Sequence, residues 1–131
     1  MPVAIDTSVL VAAEKEGGLG RLLPDGETDF YIPALAATEF LVGTHPPARA
    51  ELRRRASELY LRELRLMVAS FTETDAAQFA GLISELKSKG QQMKFFDAGI
   101  AATVMARGDK LLALDSDYDR LSGRIKLLRP K

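Results

Sequence analysis

The chain has 131 residues, 47% of them apolar and 27% charged, and eighteen basic side chains balance eighteen acidic ones. That length favours one domain over residues 1–131 with a single core, and the balance excludes a global field drawing the protein to nucleic acid or membrane. With no cysteine and one histidine, His45 in a THPP turn, disulfides and thiolate chemistry are excluded, and a Ser–His–Asp triad or a multi-histidine zinc site is not expected.

PVAID (Pro2 to Asp6) reads as a short buried strand ending on a carboxylate. Thr7 to Lys15 reads as a helix stopped by Gly17 and Gly18. The apolar run Val9 to Ala13 inside it is too short for a membrane span and follows Asp6, not a basic segment, so no signal peptide is read there and a cytoplasmic location is expected. FYI (Phe30 to Ile32) is a second strand, and Pro33 introduces a helix from Ala34 to about Gly43. From Ala48 to about Met67 the pattern predicts one long amphipathic helix, with Leu52, Ala56, Leu59 and Leu66 near one face. Its basic cluster, Arg53 to Arg55, is expected to be held largely by i,i+4 pairs such as Glu51–Arg55 and Glu58–Arg62.

A strand is expected at Met67 to Phe71, then a helix capped by Thr74 or Asp75 and running to Lys89. The polar link GQQMK leads to a strongly apolar helix, Phe96 to Ala106, ended by Gly108. LLAL (Leu111 to Leu114) is a strand, and Ile125 to Leu128 a last one. Short apolar strands alternating with helices predict an α/β fold, a parallel sheet covered on both faces.

Beyond LLAL the sequence reads DSDYD, with Asp115, Asp117 and Asp119 on alternate positions. In extended backbone they share one side and repel one another, so either the chain bends or a cation sits among them. Ligands of such folds bind beyond the carboxyl ends of the strands, where Asp6 and Asp115 fall. Asp97 lies in the first turn of an apolar helix, and Glu39 sits in LAATEFLVG, a helix almost without polar groups. Capping accounts for Asp6 or Asp97 taken singly, and solvated turns for Asp117 and Asp119. A carboxylate on a mostly apolar helix needs water, a partner or a metal. Together, acids on separate elements without histidine or cysteine suit a hard divalent cation, Mg²⁺ or Mn²⁺, of the kind that activates water in phosphoryl displacement.

Four blocks in order give the chain a resemblance to PIN-domain ribonucleases, specifically the VapC-type toxins of bacterial toxin–antitoxin pairs. They are AIDTSVLVA (Ala4 to Ala12), ATEFLVG (Ala37 to Gly43), FFDAGIAATVMARG (Phe95 to Gly108) and LLALDSDYDRL. The resemblance makes Asp6, Glu39, Asp97 and Asp115 the catalytic and metal-binding acids, Asp117 an auxiliary ligand and Ser8 a supporting hydroxyl. It implies a three-layer α/β/α sandwich around four or five parallel strands and Mg²⁺- or Mn²⁺-dependent endoribonuclease activity. A homodimer and a cognate antitoxin covering the site are implied as well. The sequence departs from the pattern at Ala113, where the family places threonine or serine two residues before the fourth acid.

An acidic pocket that receives RNA needs cations at its rim, and Lys89 and Lys94 in KSKGQQMK are the candidates, with surface solvation as the plain alternative. Three other functions stay open at this stage. One is a PIN nuclease of RNA maturation or decay outside a toxin pair; the second is a non-catalytic module binding RNA or a partner. The third, a phosphatase or receiver domain, lacks the DxD motif and the strand-end lysine.

Overall fold

The computed structural model describes all residues, 1–131. Five strands form one sheet: β1 (Val3–Ile5), β2 (Phe30–Pro33), β3 (Val68–Ala69), β4 (Lys110–Leu112) and β5 (Lys126–Leu128). Their order is β3-β2-β1-β4-β5 and every pairing is parallel. Parallel neighbours need crossovers, and these are the helices α1 (Thr7–Glu16), α2 (Ala34–Val42), α3 (Ala50–Leu59), α4 (Glu73–Ser88) and α5 (Phe95–Arg107). The result is the expected three-layer α/β/α sandwich. Val3, Ala4 and Ile5, like Leu111, Leu112 and Ala113, are wholly buried, which is why these strands read as continuous apolar runs.

The order places the site. From β1 the chain builds outward through β2 to β3, then returns to add β4 on the other side of β1. The switch point therefore lies between the carboxyl ends of β1 and β4, where loops leave in opposite directions and a crevice opens. Asp6 follows β1 directly, and its backbone N–H donates to the Leu112 carbonyl at 2.9 Å, tying the two strand ends together.

α5 closes the crevice. Ala98 through Val104 are all buried, so this helix has almost no solvent face. Gly99 leaves no room for a side chain between α5 and its neighbours: a Cβ there would clash with Leu35 Cδ1 of α2 and lie 3.3 Å from Phe79 Cε2 of α4. Gly108, at φ 69°, ends the helix in the left-handed conformation and turns the chain into β4.

Two expectations are corrected. The helix predicted from Ala48 to Met67 is α3 followed by a π-turn at Tyr60–Leu64 and a 3₁₀ turn at Arg65–Met67. The changed winding takes Leu66 off the apolar face, leaving it 90% exposed, and puts Leu64 in the core instead. It also removes the Glu58–Arg62 pair: Glu58 binds Arg54 at 3.1 Å and Arg62 binds Glu63 at 2.9 Å, while Glu51–Arg55 forms as expected at 3.4 Å. Secondly, α4 is capped by Thr72, not Thr74 or Asp75. Asp75 completes a capping box by accepting from the Thr72 N–H at 3.0 Å, and it is buried because Thr103 of α5 also donates to it.

For the aspartates, the structure shows the first of the two alternatives. After β4 the chain does not stay extended but winds into a 3₁₀ helix, Ser116–Leu121. At three residues per turn, positions i and i+3 share a side. Tyr118 and Leu121 turn into the core, Asp117 and Arg120 share a second edge, and Asp119 points away to pair with Arg129 at 2.7 Å. The chain bends, and only two of the three acids stay near one another.

Candidate metal centre

Asp6 carries two duties at once. As N-cap of α1 it accepts from the Ser8 N–H at 3.1 Å, and the Ser8 hydroxyl donates to the same Oδ2 at 2.6 Å. Ser8 Oγ in turn accepts from the Leu114 N–H at 3.0 Å. One hydroxyl thus links the first acid to the backbone just before Asp115. The stretch beyond β4 is held further by Arg129, which donates to the Ala113 and Asp115 carbonyls at 2.8 and 3.3 Å. Ala113 is itself fully buried. Ser8 and Arg129 therefore fix the approach to Asp115, where the family pattern would have a hydroxyl at position 113.

Asp97 is the third residue of α5, not its cap; Lys94 stands at the N-cap and makes no side-chain capping bond. Its carboxylate is 5% exposed. Oδ1 accepts from the Tyr118 hydroxyl at 3.3 Å, and Oδ2 is buried with no hydrogen-bond partner at all. Burial, and then the charges of Asp6, Asp115 and Glu39, push its pKa up from 3.8 to about 6, with the Tyr118 bond pulling the other way. Such an oxygen is costly unless something positive or a donor meets it.

Tyr118 is the residue that sequence reasoning missed. It is fully buried, and its hydroxyl donates to Asp6 Oδ1 at 2.6 Å as well as to Asp97. Burial, then the neighbouring Asp6, raise its pKa far above the ordinary phenol range, so it remains protonated and a donor. It separates two carboxylates that otherwise repel across the crevice. The available signal was chemical: a tyrosine three residues before Leu121 sits on an inward face, and a buried tyrosine needs a partner for its hydroxyl.

Carboxylate oxygens of Asp97, Asp115 and Asp117 lie within 4.8 Å of one another, the first buried and the other two half-buried. Asp115 caps the 3₁₀ helix by accepting from the Asp117 N–H at 2.8 Å, which fixes how these two diverge. The trio offers oxygen donors only, and Asp97 carries a buried, unpartnered oxygen besides, which fits a hard divalent cation. Asp6 stands behind the trio, joined to Asp97 through Tyr118. Glu39, half-buried on α2, lies outside the tight set, although its charge acts on Asp97.

The two lysines are not equivalent. Lys94 is exposed and lies 3.9 Å from Asp117. Lys89, at the end of α4, binds Glu85 at 3.4 Å, and Glu85 also takes Arg124 at 2.7 Å, so its charge is spent on a surface pair. His45 is exposed in a loop, as expected. No helix is long and apolar enough to cross a membrane.

No curated protein matches the chain in sequence. Solved structures do resemble it. A chain of the VapBC2 structure from Rickettsia felis, bound to a DNA fragment from its promoter, superposes with a TM-score of 0.77 at 18% identity over 100% of both chains. A chain of VapBC-5 from Mycobacterium tuberculosis, a member of the VapBC family of toxin–antitoxin systems, gives 0.75 at 22% identity over 98% of this chain and 96% of the other. DNA-bound VapBC from Salmonella typhimurium gives 0.77 at 17% identity over 98% of each. At these identities the likeness is one of fold. The PIN domain model matches residues 3–124, nearly the whole chain and every acid described above. The chain belongs to the PIN-domain family.

Proposed function

We propose that the protein is a divalent-metal-dependent endoribonuclease and the toxin of a toxin–antitoxin pair. The observation that carries the reading is the trio of Asp97, Asp115 and Asp117, with carboxylate oxygens within 4.8 Å of one another at the sheet's switch point, in which Asp97 also keeps a buried, unpartnered Oδ2. Asp97, Asp115 and Asp117 would hold the ion, Mg²⁺ or Mn²⁺. When bound, such an ion activates water and offsets the charge that develops on a phosphodiester under attack.

The chain's own groups supply the rest. Ser8 and Tyr118 hold Asp6 and Asp97 at fixed orientations, so the acids need no rearrangement during reaction. Glu39, half-buried on α2 with its charge acting on Asp97, would hold a water bound to the ion or ligate a second ion. Lys94 at the rim offsets the repulsion between phosphate and the acids, and Lys89 is a weaker second contact because Glu85 holds it. The toxin assignment and its antitoxin partner draw their support from the similarity to chains of VapBC complexes, and the homodimer and cytoplasmic setting are proposed with them.

The test is cleavage of a mixed cellular RNA pool by purified protein in Mn²⁺, Mg²⁺ or EDTA, beside Asp97→Asn. Discrete fragments that need the metal and vanish in the variant are expected, and their ends name the target. RNA left intact in both metals by protein that binds Mn²⁺ would refute the nuclease on that pool. Toxicity on expression, relieved by the product of a neighbouring small reading frame, is the corresponding test of the pair.

A further inference from the structure

A cleft of about 330 Å³ opens beside the acids, lined by Gln92, Met93, Lys94, Asp117 and Arg120. One wall is the link between α4 and α5; the other is the outer edge of the 3₁₀ helix. Asp117 belongs to both the cleft and the acid trio, so the two are continuous. The volume is at the lower end of the ~300–1,000 Å³ usual for small-ligand pockets, which suits one nucleotide and not a folded segment.

Its chemistry is as specific as its place. Arg120 lies three residues after Asp117, so the 3₁₀ winding sets both on one edge. Its Nη1 donates to the Gln92 carbonyl at 2.5 Å, stitching the two walls together, and it has no carboxylate partner. Of a guanidinium's five N–H donors, four remain for another acceptor, in the fork that matches phosphate. Lys94 is 76% exposed and only loosely matched to Asp117 at 3.9 Å. Between the two cations, half-buried Met93 gives an apolar surface for a base, and Gln92 a side-chain amide for a base edge.

We propose that this cleft seats the RNA nucleotide next to the scissile phosphate, with Arg120 and Lys94 on the flanking phosphate and Met93 and Gln92 against the base. The proposal rests on the nuclease reading and adds to it where the strand leaves the acids and which side chains set base preference there. Asp117 at the inner end repels an anion, so the phosphate contact belongs at the Arg120 end.

Binding of a short, mixed-sequence single-stranded RNA is measured by fluorescence anisotropy in EDTA across a salt series, for wild type, Arg120→Ala and Lys131→Ala. Lys131 pairs with Asp25 on the surface and serves as the charge-matched control. Arg120 is exposed and its one bond goes to a loop carbonyl, so the fold tolerates its loss, which circular dichroism verifies. The expected result is binding about tenfold weaker in Arg120→Ala. The log–log salt slope should become shallower by about 0.7, the value of one phosphate contact on a single strand. In Mn²⁺, Gln92→Ala should shift the sequence around the cut sites. Arg120→Ala behaving like Lys131→Ala in affinity and slope overturns the cleft, and if wild type still cleaves in Mn²⁺ the nuclease reading survives alone. Arg120-dependent RNA binding without any metal-dependent cleavage supports the seat and removes the nuclease.

Discussion

Asp97→Asn should make the metal-free protein more stable at neutral pH while abolishing cleavage. Asp97 has a folded pKa of about 6 against an ordinary 3.8, so the native state binds the proton more tightly than the unfolded chain does. A raised carboxylate pKa costs stability: the cost is absent below the unfolded value, grows between about pH 4 and pH 6, and is fully present above. At ~1.4 kcal/mol per pKa unit it amounts to about 3 kcal/mol at pH 7.5, an upper figure for what a neutral isostere recovers. Asparagine keeps an oxygen for Tyr118 and adds an N–H₂ that can donate to the acids around it. Urea unfolding in EDTA should therefore find the variant about 1–3 kcal/mol more stable at pH 7.5, or roughly 5–10 °C higher in Tm, with the difference nearly gone at pH 4. Saturating Mn²⁺ should cancel or reverse the gap, since an ion at a hundred times its Kd adds about 2.7 kcal/mol to wild type only. A variant less stable than wild type at pH 7.5, or a gap that is equal at both pH values, would refute the claim that Asp97 is a strained, unpartnered charge.

Three further outcomes follow from single contacts. Tyr118→Phe removes the donor shared by Asp6 and Asp97 and should cost about 1–3 kcal/mol in urea unfolding without metal; an unchanged midpoint would mean the hydroxyl is idle. Ser8→Ala cuts the link between Asp6 and the Leu114 N–H, so turnover on a cleaved RNA should fall about 10–100-fold while circular dichroism stays the same. Gly99→Ala forces a methyl against Leu35 and Phe79 and should cost about 1–3 kcal/mol, read as a lower Tm; a Tm at or above wild type would show that α2 and α5 have room to part.

The parts of the site legible in the sequence are those set by strand ends. β1 and β4 are apolar runs whose boundaries are sharp, and a strand's end places the next residue at the crevice whatever the rest of the chain does. Asp6 and Asp115 were readable for that reason. Asp97 was readable as an acid in a helix with almost no solvent face, and the alternative reading of it as a cap does not hold, since no side chain caps that helix. What failed to show was winding. Alternating aspartates have period two on paper, but the 3₁₀ helix gives the segment period three, sends Asp119 to Arg129 and turns Tyr118 inward. The same blindness turned α3 and its π-turn into one uninterrupted helix. Glu58 and Arg62 have ideal spacing, and nothing local announces that the backbone changes pitch at Tyr60. Local spacing reports the contacts a regular element would make; it does not report where tertiary packing alters the element.

The edges of the sheet limit how this protein can meet others. At one side β3 is two residues long, and at the other β5 is three residues long and is followed by Arg129 and by Pro130, which has no N–H to offer. Edges of two and three residues offer an incoming strand only a short ladder, which disfavours aggregation by edge pairing and recruitment of a peptide as a sixth strand. A chain that binds here would then rely on side chains of helices and loops more than on an added strand. Selectivity among related partners then resides in surface sequence, which changes one residue at a time, and not in backbone hydrogen bonding, which any extended segment can satisfy. Two such proteins in one cell can share this fold and still keep their partners apart.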